Sequence, residues 1–262
     1  MSRFANNGVG LRRSFAVALA VVAAALLGST SAAHAALTTE SCLAKKLKEW
    51  GKLRKCLATE NGKALQAKPA DPVKCQTKFD DKLATISAQA TAAAIACRYG
   101  VNTGAETGTV TDYDTGLQWE QKTDDASVHD KDNTYTWNTA IAGTTPNGTA
   151  FTAFLGTLNN GTSGDGLSTS GCFAGHCDWR LPAIGELASI ADLAVPGCGV
   201  LPYTTTCIDQ TVFGPTVADG YWSATTNSNN STVAWLVTFW DGFPNDVSKN
   251  NVFYVRAVRS GL

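Results

Sequence analysis

Apolar residues recur at helical intervals near the start of the chain. Leu43, Leu47, Trp50, Leu53 and Leu57 punctuate a Lys- and Ala-rich stretch and predict a helix over 39–58. Asn61-Gly62 and the Pro69–Pro72 segment break it. Phe79, Leu83, Ile86, Ala90 and Ala94 then predict a second helix over 73–97. Beyond residue 100 the period shortens. Thr109-Val110-Thr111 and Leu117-Gln118-Trp119 flank Asp114-Thr115-Gly116, which reads as a hairpin. Helices are expected over 135–142, with Trp137 and Ile141, and over 150–158, with Phe151, Phe154, Leu155 and Leu158. A third is expected over 183–193, where Ile184, Leu187 and Ile190 keep helical spacing behind Pro182. Val-, Phe-, Tyr- and Trp-rich runs at 221–226, 233–240 and 252–259 read as three strands of a meander. Strands packed on a few helices with long loops make an α+β layout. Arg180, beside Trp179 and Leu181, needs a carboxylate if half-buried, and Asp178 and Glu186 are close in sequence.

The first 35 residues have a different character. Arg3, Arg12 and Arg13 precede an unbroken apolar run of 13 residues, Phe15 to Leu27, and Ala33-His34-Ala35 follows as a small-x-small cleavage site. The run is shorter than the roughly 20 residues of a membrane span, and no lipobox precedes Cys42. Residues 1–35 are therefore expected to be a signal peptide, 36–99 a helical hairpin and 100–262 the main domain, in an extracytoplasmic (periplasmic or secreted) protein without a membrane span.

Export changes the reading of the eight cysteines, since an even number in an oxidising compartment implies disulfides. Antiparallel helices bring Cys56 near Cys75 at the loop end and Cys42 near Cys97 at the open end. The two spans between them are unequal, so the outer pair requires Cys42 or Cys75 to lie in extended chain. Local pairs, Cys172–Cys177 and Cys198–Cys207, are expected in the main domain. A zinc site at Cys172, His176 and Cys177 is the weaker reading in that compartment. The near-neutral chain also hides a charge asymmetry: 36–99 carries 12 basic against 6 acidic residues, and 100–262 carries 6 against 16. An acidic main domain argues against nucleic acid as its partner.

Several runs together resemble the Lcl-type C-terminal domain family, a C-type-lectin-like family of exported bacterial proteins and adhesins. They are Thr115-Gly116-Leu117-Gln118-Trp119, Tyr135-Thr136-Trp137 and Asp178-Trp179-Arg180-Leu181-Pro182 with Glu186-Leu187. Tyr221-Trp222-Ser223-Ala224-Thr225, Ala234-Trp235 and Tyr254-Val255-Arg256-Ala257-Val258-Arg259 complete the set, over most of 107–260. The resemblance implies a lectin-like fold whose loops and last strands present a binding surface, and it does not reach the helical hairpin. Family members include glycan-binding adhesins, some of them trimeric, so a homo-oligomer is one expectation.

No nucleophile elbow, phosphate loop or zinc-protease helix is present, and the mature chain has two histidines, His129 and His176. The expectation is a non-enzymatic, adhesin-like module that binds a glycan or other surface ligand. The alternative is an assembly component of an envelope or extracellular complex. A third idea, kinship with sulfatase-modifying enzymes, rests on fold analogy and needs a free thiol. Sugars need aromatic plates beside amides and carboxylates. The turn between the last two strands offers Trp240, Asp241, Phe243, Asn245, Asp246, Lys249 and Asn250 as such a set. No cofactor is expected apart from a structural calcium at some of Asp112, Asp114, Asp124, Asp125, Asp130 and Asp132. Those residues supply hard oxygens but fit no twelve-residue calcium loop.

Overall fold

The computed structural model describes residues 37–140, 142–160 and 172–262. The expected signal peptide lies outside the described residues, as does most of the Gly/Ser/Thr loop before Cys172. Among the described residues no helix is long and apolar enough to cross a membrane. Residues 37–262 form one compact unit.

Two helices open it. Helix α1 (Thr39–Leu65) starts with a capping box, in which the Thr38 hydroxyl accepts from Ser41 N at 3.2 Å and Ser41 Oγ accepts from Thr38 N at 2.9 Å. Helix α2 (Pro72–Ala92) has Pro72 in its first turn and Asp71 as N-cap, accepting from Lys74 N at 2.9 Å. Disulfides Cys42–Cys97 and Cys56–Cys75 close the two ends as expected. The unequal span is absorbed elsewhere than expected: Cys42 and Cys75 are both helical, and Cys97 lies past the end of α2. Helix α2 stops at Ala92 because Ala94 turns to positive φ and the chain leaves for the first sheet.

That sheet orders its strands β1 (Tyr99–Val101), β2 (Thr109–Asp112), β3 (Leu117–Glu120) and β9 (Val258–Ser260), all antiparallel. The expected domain boundary at 99/100 therefore falls within a strand. The β2–β3 turn is where the helical head docks. Trp50 Nε1 donates to Tyr113 O at 3.0 Å, and buried Lys46 pairs with Asp114. At the turn's tip Gly116 has φ +73°, and a Cβ there would lie 2.5 Å from the Trp50 ring. Gly116→Val is expected to lower stability by about 1–3 kcal/mol through backbone strain alone, before the clash. Urea titration of the purified variant checks this.

A second sheet runs β5 (Gly220–Asn227), β6 (Asn230–Thr238) and β7 (Phe243–Ser248). The first two strands stand where the pattern placed them, but β7 does not appear in the sequence reading. Its Pro244-Asn245 reads as loop, and proline is tolerated because β7 is an edge strand. The expected strand over 252–259 is two pieces. β8 (Val252–Phe253) pairs with β4 (Tyr135–Thr136), and β9 closes the first sheet. Between them the chain turns inward and buries Arg256 fully.

The helix expected over 135–142 does not form. Trp137 N and Asn138 N both donate to Lys249 O, and Trp137 O accepts from Gly148 N, so these backbone groups serve distant partners. Ile141 lies outside the described residues. The 150–158 helix does form, as a π-helical turn (Ala150–Phe154) running into α3 (Leu155–Asn159). The expected 183–193 helix is only one turn long, α4 (Ile184–Ala188), because Asp192 N leaves it to bond Cys207 O at 2.8 Å. Arg180 does find Glu186, with two bonds of 2.7 Å. That hydrogen-bonded fork holds the Glu186 carboxyl below the ordinary carboxylate range. A last short helix is α5 (Gln210–Phe213).

Two apolar clusters fill the main body. One gathers Trp137, Phe154, Trp179 and Trp222; the other gathers Trp119, Phe213, Tyr221 and Phe239. A charged group lies among them. Glu120, fully buried, accepts from His129 Nδ1 at 2.8 Å and Lys122 Nζ at 3.1 Å, and its second oxygen takes Ala257 N at 2.9 Å. Arg256 spends its two terminal nitrogens on Glu120 O, Phe213 O and Thr216 Oγ1, each at 2.8 Å.

Candidate functional site

The turn between β6 and β7, with Trp240, Asp241 and Gly242 half-buried, is built from its own side chains. Asp241 accepts from Thr238 Oγ1 and from Phe243 N, and Gly242 N donates to Thr238 O at 2.8 Å. Gly242 has φ +77°, and a Cβ on it would meet Leu193 Cδ2 at 2.5 Å. Only glycine lets the turn approach the loop 189–209 so closely.

That loop is stapled by Cys198–Cys207, one of the local pairs expected; Cys172–Cys177 is the other. Three backbone bonds hold it against the turn and the end of α4. Cys207 N donates to Phe239 O at 2.6 Å, Gly199 N to Trp240 O at 2.8 Å and Asp192 N to Cys207 O. The Tyr203 ring lies 6.0 Å from that of Trp240, tilted by 34°. Several large apolar side chains of the loop and of the start of β7 are exposed. Tyr203 is 42% exposed, Leu193 and Phe243 59%, Val200 60% and Leu201 73%. Large apolar side chains gathered on one surface mark interaction sites more often than chance exposure does. Beside the loop a cleft of 380 Å³ opens between Asp192 and Asp209, with Thr205, Thr206 and Gln210 in its walls. The loop that carries Tyr203 thus also supplies carboxylates and hydroxyls to this cleft.

The expected site residues divide. Trp240, Asp241 and Phe243 belong to this surface. Asp241 acts chiefly as the brace of the turn. Asn245 is exposed on β7, while Asp246, partly buried, accepts from Asn227 Nδ2 at 2.7 Å. Asn250 takes a hydrogen bond from Ser248 Oγ at 2.6 Å. Lys249 faces inward and is removed from the set. It is fully buried, lies 3.9 Å above the Trp137 ring, and donates to Thr144 O, Thr226 Oγ1 and Ser231 O. Desolvation there lowers the basicity of its ammonium. Tyr203, Leu193, Val200 and Leu201 join the surface without having been singled out. The only sequence signal for Val200, Leu201 and Tyr203 is that Cys198 and Cys207 bound their segment, and Leu193 was read as the end of a helix.

The six carboxylates considered for calcium do not share one place. Asp112 pairs with Arg98 and Asp114 with Lys46. Asp124, Asp130 and Asp132 do gather, with ligand atoms within 4.8 Å of one another. Lys131 stands among them, 2.6 Å from Asp132 and 3.3 Å from Asp124. Asp130 accepts from the backbone N–H of Asp125, Ala126 and Asp132, and the Asp132 and Ala126 bonds foremost hold its carboxyl below the ordinary range. Hard oxygens are present, but an ammonium and three amides already satisfy much of their charge.

All eight cysteines are bridged, so no thiol is left for chemistry of the sulfatase-modifying kind. His129 is held in the interior, its ring 4.2 Å from that of Phe173 and tilted by 39°. In comparison with known proteins, the model of the Lcl C-terminal domain family matches residues 108–259. No curated protein matches the chain.

Proposed function

Because the chain belongs to the Lcl C-terminal domain family, we propose that it is an exported, non-enzymatic recognition module whose contact surface is the β6–β7 turn with the Cys198–Cys207 loop. We take its ligand to be a glycan on another surface. The main body is read as a C-type-lectin-like domain, a reading supported by the family match and by the mixed helix-and-sheet architecture. Four disulfides support an oxidising, extracytoplasmic compartment.

The observation that carries the proposal is the stapled loop, which sets the Tyr203 ring 6.0 Å from that of Trp240 on the turn and itself lines a cleft with hydroxyls and carboxylates. A sugar ring presents C–H faces to aromatic rings and hydroxyls to polar groups, and rigid support lowers the ordering cost of binding. Screening the mature protein on a glycan array, with and without calcium, tests this. Dose-dependent binding is expected, reduced about tenfold in Trp240→Ala, which corresponds to about 1.4 kcal/mol. A blank array at high loading would count against the proposal.

A further inference from the structure

A separate feature lies on the helical head. Leu53 and Cys56 on α1 pack against Cys75 and Phe79 on α2 at the floor of a groove of 440 Å³. That volume falls within the roughly 300–1,000 Å³ of small-molecule sites. The floor is apolar, made by Leu53, Phe79 and the Cys56–Cys75 bridge. Charge stands on the rim. Lys52 is neutralised by Glu49 at 2.6 Å. Lys78 and Lys82, one helical turn apart, form no ion pair among the described residues, and neither does Asp81 between them. The rim therefore keeps one surplus positive charge, inside a segment of net charge +6. The lysine stems add apolar wall below their ammonium groups.

We propose that this groove binds a free single-chain amphiphile with a carboxylate head, of the fatty-acid class. The chain lies along Phe79, Leu53 and the disulfide, and the carboxylate meets Lys78 and Lys82. Charge complementarity selects the head group, and the apolar floor selects the chain. This site is independent of the surface at the β6–β7 turn.

Isothermal titration of the mature protein with laurate below its micellar concentration tests the proposal. One laurate per chain is expected, with affinity at least tenfold weaker in Lys78→Glu/Lys82→Glu. Lys45→Glu, an exposed lysine outside the groove, should leave affinity unchanged, and dodecyltrimethylammonium should bind at least tenfold more weakly than laurate. Absence of laurate binding, equal binding of the cationic amphiphile, or indifference to the double reversal would overturn the proposal. Two other results would do the same by naming another occupant. One is lysine-dependent binding to phosphatidylglycerol vesicles without laurate binding, which points to a lipid surface. The other is a dimer, seen by light scattering, that the double reversal dissociates, which points to a second copy of the chain.

Discussion

Glu120→Gln is expected to destabilise the main body by roughly 3–5 kcal/mol, the cost of breaking a buried ion pair from one side. The Glu120 carboxylate faces Lys122, His129 and the Ala257 amide, and both charged side chains of the Glu120–Lys122 pair are inaccessible to solvent. Replacing it leaves the buried Lys122 ammonium without its carboxylate partner, with the Phe154 ring 5.1 Å away, the more distant Asp130 charge and a neutral amide oxygen as partial compensation. Glu120→Gln/Lys122→Met should recover part of the loss, because it removes both charges together. Equilibrium denaturation of the wild type and the two variants checks the order.

The same cluster sets an acid limit. Burial pushes the Glu120 carboxyl up, but Lys122 and the His129 hydrogen bond more than offset it, so the group stays below its ordinary 4.5. A carboxyl depressed on folding contributes stability that is complete above the unfolded value and lost as pH falls through the folded one. The wild type should therefore lose stability on acidification below about pH 4.5, the group's ordinary value, and Glu120→Gln should lack that component.

The second large effect concerns the head. Cys42→Ser/Cys97→Ser removes a bridge spanning 55 residues and is expected to cost about 4 kcal/mol on the loop-entropy scale. Cys172→Ser/Cys177→Ser opens a span of 5 residues and should cost about half that. A 27-residue and a 21-residue helix bury little surface by themselves, so the head depends on its bridges and on docking at Tyr113 and Asp114. Far-ultraviolet circular dichroism across a denaturant series should show helix lost first in the 42/97 variant.

What the sequence made legible was local. Helical periodicity reports neighbours on one face, so α1, α2 and the π-helical turn with α3 could be read directly. The β2–β3 hairpin followed from Gly116, the two disulfides of the head from the expected export and helix geometry, and the two of the main domain from local pairing. The rest depended on distant partners. Trp137 looks helical until Lys249 O, over a hundred residues away, takes its N–H. Arg256 reads as part of a strand, yet it turns inward because three acceptors from other segments converge on it. Lys249 sat in a sequence neighbourhood rich in candidate site residues, and burial over Trp137 withdrew it. Tyr203 had no period or motif to mark it; its place beside Trp240 exists only once the Cys198–Cys207 loop folds back on the turn. The Glu120 cluster was hidden for a similar reason: Glu120 and Lys122 share one face of an extended segment, but His129 arrives from a loop.

The most direct measurement is a crystal structure of the mature protein soaked with an oligosaccharide selected on the array. Density for a sugar stacked on Trp240 or Tyr203 is the predicted result. Sugar bound elsewhere on the body with the turn and loop bare, or a cleaved product in place of the intact ligand, would contradict the account.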